Sequence, residues 1–108
     1  MGRKEERPIF PTGVAADIVG MNPKSLINYE NLGLVTAQRS SKNRRLFSKK
    51  DLFTLMVVKY LLKEKKLTCS GVRYVLDLVD AASEDRIDLF LYVIPKDKRE
   101  EFVKTVDV

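Results

Sequence analysis

A chain of 108 residues, 44% hydrophobic and 32% charged, has room for one domain with a modest core. It contains no apolar run near the ~18 residues of a membrane span, and MGRKEERPIF lacks the apolar stretch of a secretory signal, so a cytoplasmic protein is expected. With one cysteine, Cys69, and no histidine, an internal disulfide and the usual Cys/His zinc site are excluded, and no cofactor is expected.

Residues 1–8 read as a flexible basic tail ending at Pro8. Thr12 is placed to cap a short helix running from Gly13 to about Val19, which Gly20 stops. Asn22 and Pro23 open a second helix as N-cap and first helical residue; it runs to about Asn31, and Gly33 ends it. Leu26 is its inward-facing residue, and Leu32 and Leu34 are expected to pack near its exit. Lys24, Ser25, Asn28 and Asn31 fall mainly on other sides. Two short helices across Gly20-Met21-Asn22 form a helix-turn-helix pattern, which alone is common among helical proteins.

Leu34–Arg39 and Arg44–Phe47 are extended segments around the polar turn Ser40-Ser41-Lys42-Asn43, hence a hairpin. Arg39–Lys50 holds six basic residues and no acidic one, so the hairpin is basic and follows directly on the helix pair, as a wing does. The charge of the whole chain divides the same way. Residues 1–66 carry 14 Lys/Arg against 6 Asp/Glu, and residues 67–108 carry 6 against 9, so only the first part attracts a polyanion.

Ser48 and Asp51 suit a capping-box start for the next helix. Its apolar residues cover two faces, Leu52, Leu55, Met56 and Leu62 on one, Phe53, Val57, Tyr60 and Leu61 on the other, which predicts a helix central to the core. Lys63-Glu64-Lys65-Lys66 closes it. Thr68 caps another helix, with Val72, Val75, Leu76 and Val79 at helical spacing. Cys69, at its start, reads as a small, partly buried residue or as a thiol activated by the helix N-terminus. Ser83-Glu84-Asp85 reads as an acidic helix start. Ile87, Phe90, Leu91 and Ile94 then share a helical face, although Leu89–Ile94 is equally readable as a strand. Pro95 begins a last charged helix with Phe102, Val103 and Val106 on its apolar side. The expected fold is mainly α: a winged helix-turn-helix with a small two-stranded β wing and additional C-terminal helices.

In order and spacing, PIFPTGVAADIVGMNPKSL, YENLGLV and NRRLFSKKDL resemble the DNA-binding domain of the MerR-type regulators, and most of all their small heat-shock-repressor branch (HspR-like). Tyr29-Glu30, Leu32-Gly33-Leu34, Arg39, Arg45, Phe47-Ser48 and Asp51-Leu52 carry the likeness, which extends from about Ile9 to Leu78. Where the family usually has an arginine and an aromatic or apolar residue before the Tyr-Glu pair, this chain has Ile27 and Asn28; Phe47 replaces a usual tyrosine. The resemblance implies a DNA-binding domain over residues 9–80, with residues 81–108 a C-terminal helical segment and candidate dimerisation element. It also implies a homodimer on double-stranded DNA, acting as a repressor as the heat-shock-like branch does.

In that arrangement the second helix enters the major groove. Lys24 can donate to guanine edges or phosphate, Asn28 can pair with adenine and Ser25 can do either, while Tyr29 divides between core and phosphate. Arg39, Lys42, Asn43, Arg44 and Arg45 flank the helix and grip the backbone; Thr12 completes the candidate DNA-binding set. Glu30 repels a polyanion, so its expected task is to pair with a wing arginine such as Arg45. Ile87, Phe90, Leu91, Ile94 and Phe102 are candidates for the dimer interface or for packing on their own domain. An enzyme finds no histidine, phosphate loop or apolar carboxylate pair to support it. A protein-interaction adaptor that keeps the winged frame without DNA specificity is the remaining alternative, and the effector, if any, is unknown.

Overall fold

A computed structural model describes residues 7–107. The basic tail expected over residues 1–8 therefore lies, up to residue 6, outside the described residues. The elements in chain order are β1 (Phe10–Pro11), α1 (Thr12–Val19), α2 (Pro23–Asn31), β2 (Gln38–Arg39), β3 (Arg45–Phe47), α3 (Lys49–Lys63), α4 (Cys69–Glu84), α5 (Phe90–Val93) and α6 (Lys96–Val106). The mainly helical winged architecture is as expected.

The helix starts follow local chemistry. The Asn22 side chain accepts the Lys24 N–H at the head of α2, where Pro23 lacks an N–H to satisfy. Ser48 and Asp51 bond reciprocally at 3.0 and 2.9 Å, a complete capping box for α3. Thr68 accepts the Gly71 N–H at the head of α4. Thr12 does not cap α1. It is the first helical residue, Pro11 occupies the cap position, and no side chain bonds the first-turn N–H groups there.

Two of the helix ends depend on glycine. Gly20 and Gly33 have φ of +67° and +77°, and the residue after each returns its N–H to a carbonyl five positions back, Met21 to Ala16 and Leu34 to Tyr29. These double closures turn the chain sharply after α1 and after α2. Leu34 is buried by the second turn, as expected, whereas Leu32 is left exposed. The end of α4 has the same geometry without glycine: Arg86 lies at φ +63° and the Ile87 N–H reaches the Ala82 carbonyl. Ser83-Glu84-Asp85 thus ends a helix rather than starting one.

The hairpin of β2 and β3 pairs Gln38 with Leu46 and Arg39 with Arg45. A third strand joins it: β1 pairs antiparallel with the other edge of β3, Phe10 opposite Phe47 and Pro11 opposite Leu46. Proline is tolerated in β1 because that strand is an edge. Fully buried Phe47 thereby carries the wing's root into the core.

The core is one cluster with α3 at its centre. Leu52, Leu55, Met56, Val57, Val58, Tyr60 and Leu61 are all buried, while Lys59 points out. Phe53 meets Phe90 and Phe102 edge to face, with ring centroids 5.2 and 6.1 Å apart. Leu89–Ile94 forms no strand but contains the single turn of α5, and Ile94 and Phe102 are buried in the same cluster.

Candidate nucleic-acid interface

Helix α2 turns Leu26 and Tyr29 into the core and leaves Lys24, Asn28 and Asn31 exposed along one stripe, at the i, i+4, i+7 spacing of a single helix face. Ser25 is half-buried beside that stripe. Tyr29 is buried, and its pKa is raised, first by removal of the phenol from water and then by the neighbouring Cys69 thiol. Cys69 itself, at the head of α4, is exposed, contrary to the partly buried residue expected.

Glu30 lies roughly a third of a turn round from Lys24 on the same helix. Its Oε1 receives the Arg45 Nε at 2.5 Å and stands 3.8 Å from the Arg39 guanidinium; its Oε2 accepts the Ala37 N–H at 3.2 Å. One carboxylate therefore binds both strands of the wing and the residue leading into β2. Burial by itself would raise the Glu30 pKa. The hydrogen bonds from Arg45 and Ala37 and the two guanidinium charges outweigh it and hold the carboxyl below its ordinary value. The pairing with Arg45 expected from the sequence is present, and Arg39 joins it.

The wing tip is a three-residue loop. The Asn43 N–H closes a turn on the Ser40 carbonyl at 2.9 Å, and the Ser40 Oγ accepts the N–H groups of Lys42 and Arg44. Asn43 takes φ +60°, the left-handed position that such a loop requires and that asparagine tolerates better than most residues. Its carbonyl accepts the Arg39 Nη1 at 3.4 Å. Lys42, Asn43 and Arg44 are exposed at the tip, and Arg45 is half-buried against Glu30.

The structure thus ties the wing to α2 through Glu30, about a third of a turn round the helix from Lys24. Thr12, half-buried at the start of α1, lies on a different element from both. One participant has no signal in the sequence. Arg73 of α4 donates to the Gly33 carbonyl just past the end of α2 and pairs with Asp77 at 3.4 Å, a tie across 40 residues.

The C-terminal candidates divide. Ile94 and Phe102 are buried and Phe90 packs against the core, so these three are committed within the chain. Ile87 and Leu91 are exposed. The outer face of α4, overlooked in the sequence, carries Tyr74 at 66% and Leu78 at 44% exposure, opposite the buried stripe of Val72, Leu76 and Val79. Their i, i+4 spacing was the available signal. Among the described residues no group of three or more His, Cys, Asp or Glu is arranged to hold a metal ion, and no helix is long and apolar enough to cross a membrane.

Two short helices at a tight turn, followed by a basic hairpin pinned to the second, define a winged helix-turn-helix protein. Residues 10–78 match the MerR HTH family of regulatory proteins, and the chain belongs to that family. Similar curated proteins are the heat shock protein HspR of Streptomyces coelicolor, 29% identical over 80 residues, and the HTH-type transcriptional regulator GlnR of Bacillus anthracis and of Bacillus cereus, 34% identical over 84 residues. The aligned regions cover 74% and 75% of this chain but 53% of HspR and 64% of GlnR, so the chain spans between half and two-thirds of these relatives. The likeness to the heat-shock branch expected from the sequence is among them.

Proposed function

We propose that this protein is a sequence-specific double-stranded DNA-binding transcription regulator that acts as a repressor. The observation that carries the reading is the Glu30 junction, which ties a basic hairpin to a groove-sized helix that leaves a polar stripe exposed. In a bound duplex the first turns of α2 enter the major groove, with Lys24, Ser25 and Asn28 reaching base edges. Lys42 and Arg44 at the wing tip grip phosphates, with Arg39, Asn43 and Arg45 setting the height of the hairpin. Tyr29 supports the helix from below. The uncapped first turn of α1 at Thr12 offers N–H groups to a further phosphate. Residues 9–80 are the DNA-binding unit in this reading, and a protein so placed on a promoter represses by occlusion.

One helix of this length reads few base pairs, and a symmetric pair doubles the site. We assign a homodimer, with the outer face of α4 and the exposed Ile87 and Leu91 of the C-terminal segment (residues 81–108) as its apolar surface, a cytoplasmic location, and no catalytic role. The same apolar face favours the second reading, an interaction adaptor.

Selection from a random duplex pool, with gel shift of the enriched sequences, separates the two: a regulator enriches an inverted repeat, whereas an adaptor enriches nothing. Neutralising about 6–10 phosphates also costs about 10³–10⁵ in affinity between roughly 50 and 200 mM salt. A flat salt response overturns the electrostatic part of the reading.

A further inference from the structure

Arg39 and Arg45 are direct cross-strand partners in the wing. Like charges directly opposite each other in an antiparallel pair are destabilising. Glu30 stands against both, at 3.8 and 2.5 Å, with a side chain only 15% exposed, while Arg45 is 25% and Arg39 44% exposed. Its second oxygen is taken by the Ala37 N–H, so the carboxylate is fixed rather than swinging between partners.

We infer that Glu30 is a positioning residue that withholds two wing arginines from phosphate: it trades non-specific DNA affinity for a hairpin of fixed height, and without it the opposed arginines become an anion site. The inference rests on the DNA-binding reading for its consequence, and on the geometry of the junction for its cause. A free guanidinium pair would bind any phosphate in reach, which adds affinity everywhere and information nowhere. Held by Glu30, the pair adds little to the counterion balance and leaves discrimination to α2.

The test uses Glu30→Gln, which keeps the size and removes the charge. Binding to a random duplex, followed from 50 to 200 mM salt, should steepen for the variant by about 1 to 2 in the log–log slope, one for each arginine released. The ratio of specific to random affinity should fall at the same time. A residue serving only to hold the fold would weaken both kinds of binding and leave the slope unchanged or shallower.

Thermal melting without DNA decides the cause separately. At constant ionic strength, millimolar sulfate should stabilise Glu30→Gln in a saturable way and leave the natural protein almost unmoved. The double variant Glu30→Gln with Arg39→Gln removes one of the opposed charges. It should melt above the single variant and lose the sulfate response, and this holds even if Glu30→Gln alone does not fold. Equal slopes together with equal sulfate responses overturn the inference, as does a double variant no more stable than the single one. If natural protein and variant alike fail to bind duplex in a salt-dependent way, the regulator reading fails while the melts still judge the junction.

Discussion

Helices α2 and α4 are anchored alike and face outward differently. Each is started by a side-chain cap and sends one buried stripe into the same core, Leu26 and Tyr29 from α2, Val72 and Leu76 from α4. The outward stripe of α2 is Lys24, Asn28 and Asn31, all polar; that of α4 carries Tyr74 and Leu78, exposed apolar side chains among the described residues. The inner halves are fixed by the demands of one core, which asks only for apolar residues at helical spacing. The outer halves are free of that demand, and in the proposed reading they suit what each helix would meet: a polyanion in one case, an apolar surface in the other.

The largest effect should come from breaking the support beneath α2. Leu26 is fully buried, and Leu26→Ala removes its side chain from the centre of the helix pair. A loss of about 2–5 kcal/mol in unfolding free energy is expected, read by denaturant titration. A loss below about 1 kcal/mol would mean that α2 is not seated on the core as described.

Changes confined to the outer stripes should separate the two helices. Lys24→Ala and Asn28→Ala should each cost about 1–3 kcal/mol in binding to the selected operator, with relaxed preference at one base position and an unchanged melting temperature. Leu78→Lys, on the other helix, should weaken the proposed dimer about tenfold or more in sedimentation, while binding to a half-site is preserved. A dimer indifferent to Leu78→Lys moves the interface away from α4.

Much of this contrast is visible in the sequence because it is written in local chemistry. Asn22-Pro23, Ser48 with Asp51, Thr68, Gly20 and Gly33 mark helix limits through hydrogen bonds made within a few residues, and the structure uses every one of them. The Glu30–Arg45 pair is legible for a different reason, since an acid among bases needs a partner. What escapes is what depends on distant chain. A strand of two residues has no alternation to detect, so β1 appears only when β3 is there to receive it. Ser83-Glu84-Asp85 has the composition of a helix start, yet ends α4 because Arg86 adopts a conformation usually left to glycine. Ile94 and Phe102 show apolar character but not which surface they cover, and their burial against Phe53's neighbourhood is decided by how the last helix folds back.

The smallest expected effect is a pH dependence that sharpens the contrast at the junction itself. Folding lowers the Glu30 carboxyl below its ordinary 4.5, so the native state gives up that proton more readily than the unfolded chain. Its stabilisation is therefore complete above about pH 4.5 and drains away as pH falls through the lowered folded value. Asp51, at the head of α3, runs the other way. Burial raises its pKa above the ordinary 3.8 despite the hydrogen bonds from Ser48 and the charge of Lys50, so its contribution is present at low pH and is lost as pH rises through the folded value. The two carboxyls act in opposite directions with pH, so a comparison that changes only one of them is needed. The difference in melting temperature between the natural protein and Glu30→Gln isolates the wing junction: it should be greatest at neutral pH and shrink below pH 4.5. A difference that stays constant down to pH 3 would mean that the carboxylate contributes no charge-dependent stability, and that the wing is held to α2 by packing alone.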